Sequence, residues 1–405
     1  MILRVLFVVL LLLALLGDAR MFLFVLNRIV FGSHKHEKSP WTWLLWVVPP
    51  LLLVMTALLW PLHRWIDWML RTEALDRITP EAVERVDWDA TLGQIGLWWL
   101  LFAAGVGVYW IVDTIRLRMK HERAPAGVRT RPGEVIRIRR AHIPFAWLRR
   151  LGAHNDVYDI EITRHEVFID GLPAAFEGYR IAFLTDTHVA RFVRRRYYEE
   201  VVAQTNRAEP DIILLGGDFV SFHRDIPLMA NALIGELHAR DGMYAVLGNH
   251  DYWAGGDDVR SAMTDRGVEF IINRSVMLRR GGAELPLVGI DEVYRGEPDL
   301  DAAFAGLAHG PRIGVTHHPD LIGDLGDCRL DLLVCGHTHG GQIRFPFFGA
   351  VVVPSRYEAR YASGFHRVRN VLMYVSRGIG AVPPLRILCR PEIATFTLRQ
   401  SGRSK

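Results

Sequence analysis

Short apolar runs that end in clusters of Gly, Asp, Asn and His constrain the fold of this chain more than any other feature. The clusters are Asp186-Thr187-His188, Gly217-Asp218, Gly248-Asn249-His250-Asp251, Thr316-His317-His318-Pro319-Asp320 and Gly336-His337-Thr338-His339-Gly340-Gly341-Gln342. Each follows a short run of aliphatic and β-branched residues, which is typical of a buried strand. Helix-length stretches such as Arg195–Ala208 and Asp225–Ala239 lie between the early runs. This alternation predicts an α/β fold with largely buried sheets, in which ligands bind beyond the carboxyl ends of the strands.

The clusters all supply one kind of chemistry. Each offers a carboxylate, an imidazole or an amide oxygen, and none offers a thiolate. Mixed oxygen and nitrogen donors suit manganese, iron or zinc better than a structural zinc site built from cysteines. Asp186 and His188 lie two positions apart, as do His337 and His339. Residues with this spacing point to the same side of a chain that leaves a strand. One cluster is compatible with an ordinary turn, but their joint occurrence predicts a metal site.

The N-terminal third has a different composition, which is typical of membrane helices. Residues 41–62 contain no charged side chain, and at about 1.5 Å per residue they are long enough to cross a hydrocarbon core of about 30 Å. Residues 92–112 are similarly apolar, and Trp residues lie near the edges of both segments, as in an aromatic belt. A first segment, at about residues 4–26, is interrupted by Asp18 and Arg20. This first segment is either a third membrane helix or a cleaved signal peptide. The charges of the loops favour three membrane helices.

The formal net charge of +4 has a local source directly after the last apolar segment. The basic residues there are Arg116, Arg118, Lys120, Arg123, Arg129, Arg131, Arg137, Arg139, Arg140, Arg149 and Arg150. Basic flanks stay on the cytoplasmic side of a membrane, so we expect a multi-pass protein of the cytoplasmic (inner) membrane with a cytoplasmic C-terminal domain. An anionic bilayer surface is the expected partner of this stretch, and no nucleic acid is expected. The predicted divisions are a transmembrane region at 1–115, a basic juxtamembrane linker at 116–150 and a soluble domain at 151–400.

The five clusters together resemble the calcineurin-like metallophosphoesterase family, whose pattern is Asp-x-His, Gly-Asp, Gly-Asn-His-Asp/Glu, His and Gly-His-x-His. The run from Gly336 to Gln342 and the later Ser376-Arg377-Gly378-Ile379-Gly380 resemble its bacterial membrane-anchored branch. The resemblance covers about residues 140–400. It implies a four-layer α/β/β/α sandwich and two divalent metal ions per site, with manganese favoured and zinc or iron as alternatives.

The resemblance also implies a role for each site residue. One metal ion would be held by Asp186, His188, Asp218 and His339, and a second by Asp218, Asn249, His317 and His337. His250 would be the acid near the leaving group, and Asp251 would orient His250 and raise its pKa. His318 is expected to be a neighbour rather than a ligand. Ser221 stands where many relatives have a second acid, three positions after Asp218.

The function implied is that of a membrane-anchored phosphoesterase that hydrolyses a phosphodiester or pyrophosphate bond with metal-activated hydroxide. Some relatives with this arrangement act on UDP-2,3-diacylglucosamine, so a lipid-linked substrate of that kind is one hypothesis. A phosphodiesterase acting on other phospholipid or envelope substrates is the chief alternative. A non-catalytic membrane scaffold that binds metal and phosphate is another, although every expected ligand is present. The motifs leave the physiological substrate and the oligomeric state open.

Overall fold

The computed structural model describes residues 9–10, 12–21, 92–121, 125–138, 154–191, 193–346, 348–350 and 352–401. The chain forms two compact units, Met1–Lys120 and His121–Lys405. The described helices are α1 (Leu92–His121), α2 (Arg195–Arg207), α3 (Ile226–Ala232), α4 (Asn249–Thr264) and α5 (Leu300–Phe304), and residues 12–21 are also helical.

In the first unit, residues 12–21 and α1 share a small buried cluster formed by Ala14, Ala103 and Ala104. The predicted helix at 92–112 lies within α1, whereas the predicted helix at 41–62 lies outside the described residues. The segment predicted at 4–26 is described only at 9–10 and 12–21. Among the described residues, no helix combines the length and apolar character required to cross a bilayer. The expectation of three membrane helices therefore has no support from the described part of the chain.

The second unit contains two large sheets. The first has seven strands in the order β1 (Val128–Arg137), β2 (Asp159–Ile169), β15 (Glu392–Gln400), β3 (Arg180–Leu184), β4 (Ile212–Leu215), β5 (Met243–Ala245) and β6 (Val268–Phe270). The second has six, in the order β13 (Gly364–Val368), β14 (Val371–Val375), β10 (Leu332–Cys335), β9 (Ile313–Val315), β8 (Ala283–Gly289) and β7 (Arg274–Arg280). A short hairpin pairs β11 (Arg344–Phe345) with β12 (Gly349–Ala350).

The two sheets pack face to face, which confirms the predicted mixed α/β fold. Phe183 and Leu214 of the first sheet share one buried cluster with Leu287 and Val334 of the second. On its other face the first sheet packs against α2, α3 and α4. The second sheet buries Leu333 together with α5 and the turn Pro319–Gly323. The apolar runs β3 and β4 are buried along their length apart from Arg180, as runs without alternation require.

Parallel pairing places the carboxyl ends of the central strands together. In the first sheet β3, β4, β5 and β6 are parallel neighbours, and in the second β8, β9, β10 and β14 are. The polar clusters follow β3, β4, β5, β9 and β10. They therefore meet at one edge of the paired sheets, where ligands bind in folds of this kind.

Strand β1 lies inside the stretch predicted to be a linker at 116–150. It pairs antiparallel with β2, so the sheet begins earlier in the chain than the predicted domain boundary at residue 151. Most of its residues are exposed, and Arg129 and Arg131 lie 3.4 Å and 3.6 Å from Glu166 of β2. Charged side chains on an exposed edge strand prevent pairing with a further strand. Because β1 is mostly polar and exposed, it has no apolar pattern from which a strand could be predicted.

Candidate metal centre

The predicted metal ligands come together at the carboxyl ends of the central strands. Asp186 and His188 follow β3, Asp218 follows β4, Asn249 opens α4 after β5, His317 follows β9, and His337 and His339 follow β10. Five of these seven residues have positive φ angles although none is glycine; they are Asp186 (52°), His188 (40°), Asp218 (54°), His337 (68°) and His339 (50°). Backbone strain of this kind persists where the surrounding structure enforces it, and it clusters at functional sites.

Two groups of donor atoms share the Asp218 carboxylate. In the first, Nε2 of His339 lies 3.6 Å from Oδ1 of Asp186 and 3.1 Å from Nε2 of His188. In the second, Nε2 of His317 lies 3.0 Å from Nδ1 of His337. Oδ2 of Asp218 is 3.6 Å from Nε2 of His188 and 3.4 Å from Nε2 of His317, so one oxygen faces both groups.

The imidazoles have the chemistry that a divalent metal ion requires. Burial lowers the pKa of His188 to about 3 and lowers the pKa of His337 and of His339 well below the usual range. Neutral imidazole is the form that binds metal. Two nitrogens bound to one ion at about 2.1 Å and at right angles would be about 3 Å apart, which matches the His188–His339 contact.

The remaining predicted ligand also fits a cation. Asn249 is buried, and its side-chain oxygen accepts no hydrogen bond from any described residue. A buried acceptor without a partner costs about 1–3 kcal/mol, unless an ion or water binds it.

Burial opposes charge on His317, but the carboxylates of Asp218 and Asp186 outweigh it and raise the pKa of His317 to about 10. A bound cation would replace that proton, because metal binding at imidazole releases protons.

Hydrogen bonds from outside the two groups hold the donor rings in place. Nδ1 of His188 lies 2.7 Å from the Ser221 hydroxyl, and Nδ1 of His317 lies 2.8 Å from the carbonyl oxygen of Gly216. Asp186 accepts from the backbone N–H of His337 at 3.0 Å. Such contacts fix the tautomer and orientation of a metal-binding ring. Ser221 therefore supports a predicted ligand directly.

Sequence reasoning missed Arg386, a fully buried side chain beside the site. Its guanidinium donates to the carbonyl oxygens of Arg377, Gly378 and Gly380 and lies 3.3 Å from Nδ1 of His339. Arg386 thus holds the loop that packs beneath Asp186, because the Gly378 backbone approaches that side chain closely. A lone arginine 47 residues after His339 carries no pattern that could have predicted this contact.

His250 lies beside His188 of the first donor group, but its electrostatic environment differs from the prediction. The His250 ring packs edge-on against His188, with centroids 4.8 Å apart, and against Trp253 at 4.6 Å. Its backbone N–H donates to Oδ1 of Asp218 at 2.8 Å. Burial lowers the pKa of His250, so the expected raised pKa is wrong for the protein without bound ions.

The predicted role of Asp251 in orienting His250 is also wrong. The Asp251 carboxylate instead accepts from the backbone N–H groups of Phe219 at 2.8 Å, Val220 at 3.3 Å and Gly248 at 2.9 Å. Asp251 is the third residue of α4, where an acidic side chain folds back to cap the helix. It therefore ties the loop after β4 to the loop after β5 and positions both Asp218 and Asn249.

We expect Asp251→Asn to lower the free energy of unfolding by about 1–3 kcal/mol, because the new amide N–H₂ would face the Gly248 N–H. Metal affinity should fall with it, since the two tied loops carry metal ligands. Thermal unfolding and metal content of the purified chain would measure both effects. The control is Asp257→Asn on the same helix, where the side chain is fully exposed. A loss of turnover in Asp251→Asn with unchanged stability would instead support the original orienting role.

Gly217 makes the approach of the same two loops possible. Its φ is +90°, and a Cβ there would lie 2.4 Å from the backbone nitrogen of Gly248. We expect Gly217→Ala to lower the free energy of unfolding by about 2–4 kcal/mol, from positive-φ strain and overpacking together. Gly267→Ala is the matched control, because Gly267 has a φ of +81° with no atom within 4 Å of the added Cβ. Equal losses in the two variants, measured by denaturant unfolding, would contradict the close approach.

Comparisons with known proteins agree with this geometry. Residues 179–341 match the family model described as calcineurin-like phosphoesterase. The uncharacterized metallophosphoesterase YkuE of Bacillus subtilis is 31% identical over 254 residues, which cover 60% of this chain and 87% of YkuE. The phosphodiesterase YaeI of Escherichia coli is 31% identical over 242 residues, which cover 59% of this chain and 88% of YaeI.

The match to a vertebrate relative covers a smaller share of that relative than the matches to the two bacterial proteins do. The zebrafish (Danio rerio) protein named transmembrane protein with metallophosphoesterase domain is 28% identical over 263 residues, covering 60% of this chain and 57% of that protein.

Members of the matched family use a dinuclear divalent metal site, and the donor groups around Asp218 are candidate ligands for one. The chain belongs to the calcineurin-like phosphoesterase family and is a metal-dependent phosphoester hydrolase.

Proposed function

We propose that this chain hydrolyses a phosphodiester or pyrophosphate bond at a dinuclear centre that is bridged by Asp218. The observation that carries the proposal is the position of Oδ2 of Asp218, which lies 3.6 Å from His188 and 3.4 Å from His317. A carboxylate that faces two separate groups of donors is the arrangement that a pair of ions requires. Two-metal sites of this type serve phosphatases and nucleases, which also break phosphoester bonds.

The proposed ligands follow the two groups. One ion would be held by Asp186, His188, Asp218 and His339, and the other by Asp218, Asn249, His317 and His337. The mixture of carboxylate, imidazole and amide donors favours manganese, with zinc or iron as the alternatives. When bound, the two ions would neutralise the phosphate oxygens and lower the pKa of a water molecule, so that a nucleophile forms near neutral pH.

A histidine side chain supplies the proton that the leaving group needs. His250 is the proposed proton donor to the leaving group, because its ring contacts His188 in the first donor group. Burial lowers the pKa of the ring in the free protein, so the negative charge of the bound substrate would have to raise that pKa before the ring can donate. Its backbone N–H is anchored on Asp218, so the ring position depends on the bridging carboxylate. Donation from a positioned imidazole accelerates such reactions by about 10²–10⁴.

The membrane association is proposed from the sequence of the N-terminal third. Residues 41–62 carry no charge, and a relative of this chain is named a transmembrane protein with a metallophosphoesterase domain. The basic stretch at 116–150 favours a cytoplasmic position of the catalytic unit at the inner membrane. An enzyme held there has direct access to lipid-linked substrates such as UDP-2,3-diacylglucosamine, and other phospholipid or envelope diesters are the second candidate class.

The test is a substrate panel with the full-length protein in detergent. The protein is stripped with chelator, restored with Mn²⁺, and incubated with bis(p-nitrophenyl) phosphate, UDP-2,3-diacylglucosamine and phospholipids. We expect hydrolysis of the chromogenic diester that disappears with chelator and returns with Mn²⁺, together with release of UMP from the nucleotide lipid. Hydrolysis of phospholipids without UMP release would favour the second substrate class. Binding of metal and phosphate with no turnover of any substrate would favour the scaffold alternative.

A further inference from the structure

Trp253 and Arg295 form an exposed pair directly beside His250. The Trp253 ring is 50% exposed, although it is a large apolar side chain. The Trp253 ring packs edge-on against the His250 ring, with the ring centroids 4.6 Å apart. The Arg295 guanidinium lies over the same ring, with Cζ 5.2 Å from its centroid. The pair therefore stands on the side of the site where the proposed proton donor meets the leaving group.

Buried carboxylates hold the loop that carries Arg295. The Glu292 side chain is fully buried, and its Oε2 accepts from the backbone N–H groups of Tyr294 at 2.8 Å and Arg295 at 2.6 Å. Asp291 accepts from the Tyr252 hydroxyl at 2.6 Å and from the backbone N–H of Glu297 at 2.9 Å. The hydrogen bond from Tyr252 links the loop to α4, the helix that carries Trp253. The position of Arg295 over Trp253 is thus fixed from both sides.

The charge of Arg295 is available to a ligand. Both neighbouring carboxylates are engaged with backbone N–H groups, and Arg295 forms no ion pair with any acid that the structure describes. An arginine stacked on an aromatic face keeps its outward N–H donors free and binds phosphate through two parallel hydrogen bonds. Arg295 also lines an open cavity of about 960 Å³ together with Tyr252, Asn273 and the acids Asp291, Glu297, Asp299 and Asp301. Because these acids repel anions, the cavity offers room for the uncharged part of a leaving group, and Arg295 is the residue that would bind its phosphate.

We propose that Arg295, supported by Trp253, binds a second anionic group on the leaving-group side of the scissile bond and so selects pyrophosphate-linked substrates over simple diesters. This inference rests on the proposed phosphoesterase function and on His250 marking the leaving-group side. A pyrophosphate places a second phosphate next to the one attacked, whereas an aryl diester has no charge there. Arg295 is therefore a specificity-determining residue that acts on the substrate and not on the metal ligands.

The experiment compares two substrates in one set of variants of the full-length protein with Mn²⁺. UDP-glucose supplies a charged leaving group, and bis(p-nitrophenyl) phosphate supplies one without a second charge. Arg295→Gln should lower kcat/KM for UDP-glucose by about tenfold or more, because it removes a charge-assisted bidentate contact. It should change kcat/KM for the aryl diester less than about twofold. Arg279→Gln is the matched control, since Arg279 is exposed on β7 and pairs with Glu284, and it should change neither value.

A double-mutant cycle tests whether Trp253 acts through Arg295. Trp253→Leu should reduce the preference for UDP-glucose, and the double variant should lose little more than Arg295→Gln alone, because the two residues work as a unit. Equal losses on both substrates, no loss on UDP-glucose, or a wild-type protein that hydrolyses only the diester would each overturn the proposal. A wild-type protein that hydrolyses neither substrate with Mn²⁺ would count against the proposed function itself.

Discussion

His250→Ala is expected to lose about 10²–10⁴ in kcat while it retains both metal ions. The alanine variant keeps the backbone N–H that donates to Asp218, so the bridging carboxylate should stay in place. The imidazole itself lies with His188 and Asp218 in a group of donor atoms within 4.8 Å of one another. That proximity allows a rival role for His250 as a metal ligand, and the metal content separates the two roles.

The measurement combines steady-state kinetics with metal analysis of the same preparations. A substrate with a poor leaving group should show the full loss, and bis(p-nitrophenyl) phosphate should show a smaller one, because a good leaving group needs less protonation. His238→Ala serves as the control at an exposed histidine. If His250→Ala loses an ion, or loses equal activity on both kinds of substrate, the role of proton donor is incorrect.

Asp218→Ala is expected to lose metal as well as activity. Oδ2 of Asp218 faces both donor groups, so its removal takes a negative charge from each proposed ion. We expect metal content to fall below one ion per chain and kcat to fall by at least about 10³-fold. Asp218→Asn should behave similarly, because the amide keeps an acceptor for the His250 N–H but not the charge.

The Asp218 variants should remain folded, which distinguishes metal loss from unfolding. Asp218 is buried among histidines, which hold its pKa well below the usual range despite the opposing effect of burial. A lowered pKa means that the folded state stabilises the carboxylate, so its removal should lower the free energy of unfolding of the metal-free protein at neutral pH without abolishing the fold. Near-ultraviolet circular dichroism and thermal unfolding of the metal-free proteins would test this. A variant that binds two ions and retains turnover would contradict the bridging role.

The convergence of the site could be predicted because it follows from local pattern and one topological rule. Runs such as β4 and β10 are too short and too uniformly apolar to be anything but buried strands. Parallel strands place their carboxyl ends at one edge. Asp218 and His337 were therefore expected to meet although they are far apart in the chain.

The parts that could not be predicted depend on contacts without a repeating pattern. Arg386 and Glu292 are single buried ionisable residues whose partners are backbone groups of nearby loops: carbonyls at 377, 378 and 380 for Arg386, and N–H groups at 294 and 295 for Glu292. The helix predicted at Asp225–Ala239 is shorter than expected. In the structure α3 ends at Ala232, and a separate 3₁₀ turn follows at Ile234–Glu236. The capping role of Asp251 could have been predicted, because an acid at the third position of a helix is a local capping signal.

We expect phosphoester hydrolysis by this protein to require two ions that share Asp218 as a ligand. The most direct test measures the hydrolysis of bis(p-nitrophenyl) phosphate against the number of Mn²⁺ ions bound per chain, starting from chelator-stripped full-length protein. We expect no turnover without metal and full turnover only when two ions are bound. Full turnover with one ion, or in the stripped protein, would contradict it.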